Sequence, residues 1–169
     1  MNKTQRTAVT IAGAGAVVTL CFTPIHTQVR LLFNPTTSAP EGWYVIEREH
    51  TFRVGDYVVA NLPNDAARLA DDRHYLPTSV PILKRIGALG SQVVCLSGDE
   101  VLIDGRVVAR ALARDAAGRD LTAWGHCRAL EGDELFLLSS TNSASFDSRY
   151  FGPVRRINVI GKATPIWTW

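Results

Sequence analysis

Ser38 stands in "TTSAPEG", just before an Ala-Pro pair. Pro40 fixes its own φ and biases Ala39 towards extended backbone, and Gly42 permits a sharp change of direction. These residue types hold a serine hydroxyl on a stiff corner where a carbonyl could approach it. Such a hydroxyl is a weak nucleophile at neutral pH and needs a base beside it. The chain has four histidines, His26, His50, His74 and His126, and no motif surrounds any of them. The other available base is lysine, whose pKa falls when the ammonium is desolvated. There are three lysines, Lys3, Lys84 and Lys162, and only Lys84 lies within an apolar run, "VPILKRIGAL". As a strand, that run places Val80, Ile82, Lys84 and Ile86 on one face. A buried Lys84 would be poised to take a proton from a serine. An exposed face, or a stem that snorkels outward, is the ordinary structural alternative.

A third cluster is the polar block in "GDELFLLSSTNSASFDSRYFGPV", which contains Ser145, Asp147 and Arg149. By itself it reads as a hydrogen-bonded surface loop. Asp147 and Arg149 share a face at this spacing only if the segment is extended, although a loop could still pair them.

The elements that must position these residues are mostly β. "WYVIER", "DYVVANL", "VPILKRIGAL", "ELFLLSS" and "INVIGKATPIWTW" are β-branched or aromatic runs separated by turn residues. "QVVCLSGDEVLIDGRVVA" predicts two or three strands, with Asp104-Gly105 as a tight hairpin turn. "NDAARLADDRHYL" has helical composition, with Asn64 or Asp65 as its cap and Pro77 as its stop. The expectation is a mostly β domain of two packed or partly closed sheets. Cys95 and Cys127 could form a disulfide in an oxidising compartment or remain two buried thiols, while Cys21 packs in an apolar segment.

That segment, "TAVTIAGAGAVVTLCFTPIHTQV", carries no charge from Thr7 to Val29 and has the length to cross a bilayer. Lys3 and Arg6 in front of it predict a cytoplasmic N-terminus. The expected layout is residues 1–6 cytoplasmic, 7–29 a single transmembrane helix, and 30–169 a domain outside the cytoplasm. A cleavable signal peptide is the rival reading, since "AGAGA" offers small residues. A net charge of +2 with scattered basic residues argues against nucleic acid as a partner. No Cys/His spacing suggests a metal.

The blocks and their order resemble the type I signal peptidase superfamily, the membrane-anchored Ser-Lys peptidases. They are the anchor, Ser38-Ala39-Pro40, "VGDYVVA", "LKRIGAL" and "SFDSRYFG". The resemblance implies a signal-peptidase-like β-domain with Ser38 as nucleophile, Lys84 as general base and no cofactor. Thr36 falls on the hydroxyl residue that forms the oxyanion hole with the Ser38 N–H. Ser145 falls on the serine that orients the lysine, and Asp147 with Arg149 on the ion pair behind it. There are departures: Ser-Ala-Pro replaces Ser-Met-x-Pro, and the Gly-Asp after the lysine strand is displaced. With the "ARLADDRHYLP" insertion, these departures look like the conjugative-transfer branch, the TraF-type peptidases. That branch implies a bacterial inner-membrane enzyme facing the periplasm. Its partner would be a precursor pilin or other exported protein, trimmed or joined into a ring. The rival functions are a general signal peptidase, a non-catalytic β scaffold of a mating or secretion channel, and a self-cleaving Ser-Lys switch without an anchor.

Overall fold

The computed structural model describes residues 30–49 and 51–169. The expected cytoplasmic N-terminus and transmembrane segment, together with Lys3, Cys21, His26 and His50, lie outside the described residues. Among the described residues no helix is long and apolar enough to cross a membrane.

Among the described residues eleven strands occur in chain order: β1 (Arg30–Asn34), β2 (Gly42–Glu47), β3 (Tyr57–Ala60), β4 (Ile82–Leu89), β5 (Val93–Ser97), β6 (Glu100–Ile103), β7 (Arg106–Arg110), β8 (Cys127–Ala129), β9 (Glu134–Leu138), β10 (Val154–Arg155) and β11 (Val159–Thr168). Among the described residues two short α-helices, α1 (Asn64–Asp72) and α2 (Ser148–Phe151), and one 3-10 turn (Arg156–Asn158) interrupt them. A seven-stranded sheet runs β1-β2-β11-β3-β4-β9-β10, and a four-stranded sheet runs β7-β6-β5-β8. The mostly β expectation therefore holds, with two sheets.

The large sheet is antiparallel, and its register follows the apolar pattern. Val58 lies opposite Lys84, Ala60 opposite Ile82, and Ile86 opposite Leu137. Val58, Ala60, Ile82, Ile86, Leu135 and Leu137 build one apolar cluster around the Lys84 position, while Tyr44, Ile46, Val59 and Leu83 build another. A third cluster, centred on Val94, Val101 and Phe136, joins the small sheet to β9. At the β6–β7 hairpin Asp104 and Gly105 both have positive φ, 49° and 77°, as a primed turn requires. Cys95 and Cys127 are direct partners across β5 and β8 and are bonded. The disulfide reading is the one the structure shows.

Three sequence expectations are corrected. Val80 lies outside β4 and is 42 % exposed, so the apolar face of that strand begins at Ile82. The cap of α1 is Pro63, with no side-chain cap bond, in place of Asn64 or Asp65. A proline suits this boundary, since it has no N–H and its φ is already near the helical value. The helix ends at Asp72, before Pro77, and the chain turns at His74 with φ 57°. β1, β8 and β10 are absent from the strands that the sequence predicts. β8 and β10, at three and two residues, are short and take their place from pairing with longer neighbours, whereas β1 pairs along its whole length with β2.

Candidate active site

Ser38 occupies the turn between β1 and β2, and the reversal depends on Gly42. That glycine has φ 136°, and a Cβ on it would come within 2.1 Å of the Trp167 carbonyl oxygen on β11. Only glycine meets both conditions. The turn packs against the polar block. Ser139 Oγ donates to the Ser38 carbonyl at 2.7 Å, Asn142 Nδ2 donates to Thr37 Oγ1 at 2.9 Å, and the Thr141 hydroxyl bonds the Thr37 carbonyl. Residues about a hundred positions apart thus fix the serine. Ser139 and Asn142 are contributors that the sequence reading missed. Their only signal was the density of Ser and Asn in that block.

Lys84 leaves the middle of β4 on the face shared with Val58, Ile82 and Ile86, and it is 4 % exposed. Its ammonium end donates to Ser145 Oγ, and Ser145 Oγ lies 2.9 Å from Ser38 Oγ. A continuous hydrogen-bond chain Ser38–Ser145–Lys84 results. Burial pushes the lysine pKa down from its ordinary value to about 8. Asp147 pushes it up and Arg149 pushes it down, so desolvation decides the outcome.

The Asp147–Arg149 pair is formed, though not across a strand face. Asp147 caps α2, accepting the Arg149 N–H, and takes a two-pronged bond from the guanidinium at 2.8 and 2.9 Å. Both side chains are buried, at 0 % and 3 % exposure for Asp147 and Arg149 respectively. Asp147 also accepts the Ser139 N–H at 2.9 Å, and Arg149 reaches the Ser143 and Ser145 carbonyls at 2.6 and 2.8 Å. The pair therefore shapes the loop that carries Ser145. Removing either partner would strand a charge in the core.

Thr36 lies beside the serine, but its hydroxyl donates to Asn34 Oδ1 at 2.8 Å. Among the described residues no acceptor meets the Ser38 N–H. These groups open onto a cleft of about 460 Å³ whose other walls include Leu62, Leu76, Pro81, Leu121 and Phe146. One wall, from the insertion before β4, is tied across by Tyr75, whose hydroxyl donates to Asp115. Among the described residues, those lining a wider hollow of about 660 Å³ beside Arg48, Phe52 and Asn158 include no Ser, Lys or His. Among the described residues no group of His, Cys, Asp and Glu could hold a metal.

Residues 3–169 match the family described as "Signal peptidase, peptidase S26". The chain is 33 % identical over 146 residues to the probable conjugal transfer protein TraF of Sinorhizobium fredii, covering 80 % of this chain and 76 % of that one. It is 32 % identical over 146 residues to the conjugal transfer protein TraF of Agrobacterium fabrum, covering 80 % and 81 %. Among solved structures, a signal peptidase I from Enterococcus faecalis overlaps 70 % of this chain and 100 % of that one, at 20 % identity and a TM-score of 0.43. With a family match running from residue 3 to the last residue, this chain belongs to the signal peptidase family, peptidase S26.

Proposed function

We propose that this protein is a membrane-anchored serine peptidase of the bacterial inner membrane, with its catalytic domain in the periplasm. Its role in this reading is to process an exported precursor, a conjugative pilin subunit. The observation that carries the reading is the hydrogen-bond chain from buried Lys84 through Ser145 to Ser38, with burial pushing the lysine pKa down to about 8. The relationship to conjugal transfer proteins supports the choice of precursor.

The chain of hydrogen bonds gives the mechanism a direction. When Lys84 is an ammonium, it donates to Ser145. When it is neutral, Nζ can accept from Ser145, which frees the Ser145 oxygen to accept from Ser38. As Ser38 Oγ bonds to the scissile carbonyl carbon, its proton passes to Ser145, and the Ser145 proton passes to Lys84. Serine 145 ends unchanged and the lysine ends charged. The oxyanion is held by the Ser38 N–H and, after rotation from Asn34, by the Thr36 hydroxyl. The lysine ammonium then protonates the departing amine along the same path. Water attacking the acyl-enzyme yields a trimmed protein. The substrate's own N-terminal amine attacking it yields a ring, an outcome favoured by a site that holds the amine close and keeps water out.

Mass spectrometry of a co-expressed pilin-like precursor tests this reading. The parent enzyme is expected to give a shortened product, with a ring distinguished by its lower mass by one water. Ser38→Ala is expected to leave the precursor uncut. Processing by the Ser38→Ala protein would exclude the nucleophile, and an uncut precursor with the parent would favour a scaffold role.

A further inference from the structure

Asn34 ends β1, ahead of the turn that presents Ser38, and is 5 % exposed. Its carboxamide is engaged from both ends. Nδ2 donates to the Thr36 carbonyl at 2.9 Å and to the Ala39 and Pro40 carbonyls at 3.1 Å each. Oδ1 accepts the Thr36 N–H at 3.1 Å and the Thr36 hydroxyl at 2.8 Å. The orientation of the amide follows from its partners: carbonyls tolerate only a donor, and N–H and O–H require an acceptor. The turn needs such a hub, because Pro35 and Pro40 have no N–H with which to close it.

We propose that Asn34 is a positioning residue for this reaction, acting through Thr36 and the Ser38 backbone; the proposal rests on the peptidase reading above. Carbonyls of residues 36, 39 and 40 point at Nδ2 and so do not face an oxyanion beside Ser38. The Ser38 N–H, which meets no acceptor among the described residues, is left for that oxyanion. The Thr36 hydroxyl is held ready at Oδ1 and must leave Asn34 to donate to the oxyanion. Asn34 thereby fixes where the second donor starts and what its rotation costs. A group that stabilises only the developing charge changes kcat, not substrate binding.

The test uses the full-length, detergent-solubilised enzyme and a synthetic peptide spanning the mapped cut. Asn34→Ala is expected to lower kcat about 10²-fold, the scale of one lost oxyanion donor, with KM changed less than about threefold. The rising limb of the pH profile should not move, because the lysine is untouched. Asn34→Ala combined with Thr36→Val should be no worse than the poorer single variant, since one acts through the other. Unchanged kcat, a loss confined to KM, a displaced pH limb, or fully additive losses with Thr36→Val would each overturn the proposal. Should Asn34→Ala fail to fold, Asn34→Ser decides: reduced kcat with parental melting supports the proposal, and parental kcat overturns it. Ser38→Ala in the same assay keeps the two ideas apart. An inactive parent or an active Ser38→Ala protein defeats the peptidase reading, whereas an active parent with parental Asn34 variants defeats only this one.

Discussion

Lys84 is costly to the fold at the pH where most proteins work. Its pKa falls from 10.5 to about 8 on burial, so below pH 8 the folded chain holds a poorly solvated ammonium that the unfolded chain solvates freely. At about 1.4 kcal/mol per pH unit between those two values, the penalty is about 3 kcal/mol. The sign follows from proton counting. Between pH 8 and 10.5 the unfolded state binds the proton and the folded state does not, so stability rises with pH over that window and the penalty is gone above it. Lys84→Met is therefore expected to raise stability by up to about 3 kcal/mol at pH 7, with the gain fading as pH approaches 10.5. Urea unfolding at several pH values checks this; an unchanged or lower stability at pH 7 contradicts the buried, depressed lysine. Ser38 and Lys84 were legible in sequence because each breaks a local rule: a serine between turn-makers, and a lysine in an apolar strand. Asn34 breaks none. Its importance lies in five contacts within a turn whose shape no periodicity announces.

The elements divide the labour. The large sheet supplies β4 and the β1–β2 turn, and the β9–α2 loop brings Ser145 to the gap between them. The small sheet backs this site through Ala88 of β4 and through the Arg110 carbonyl of β7, which accepts from Arg149, and its disulfide joins β5 to β8 across 32 residues. Closing a loop of that size contributes about 2–4 kcal/mol through the unfolded chain. Reduction is thus expected to lower the melting temperature while leaving kcat of the folded enzyme near the oxidised value. Melting and turnover measured with and without dithiothreitol test the division, and a collapse of kcat at temperatures where the reduced protein stays folded would show that the small sheet shapes the site. Long strands were readable because β-branched and aromatic residues run along them, as in β4 and β11. The short strands β8 and β10 carry too few residues for any period to show, and their neighbours recruit them. The Pro63 boundary of α1 was misread because Asn64 and Asp65 are better-known caps, and composition could not tell which residue leaves the helix.

At the scale of the molecule, the described strands place Ser38 and Lys84 on one cleft whose walls are otherwise mostly apolar. The entry of β1 at Arg30 follows directly on the apolar segment 7–29. The proposed anchoring would therefore hold the cleft close to the bilayer, where an exported precursor still in the membrane can reach it. Family membership runs over nearly the full chain, and the relatives by sequence are conjugal transfer proteins. The proposed catalysis turns on one chemical step, in which neutral Lys84 takes up, through Ser145, the proton that Ser38 releases. Its most direct test is the pH dependence of kcat/KM, measured on detergent-solubilised enzyme with a peptide substrate, for the parent and for Lys84→Arg. Below pH 8 the lysine is charged and cannot accept a proton; above it the neutral amine can, so the rate should rise through about pH 8. Lys84→Arg should be inactive throughout, because a guanidinium does not lose its proton. A limb near the histidine value of about 6.5, or an active arginine variant, would contradict the account.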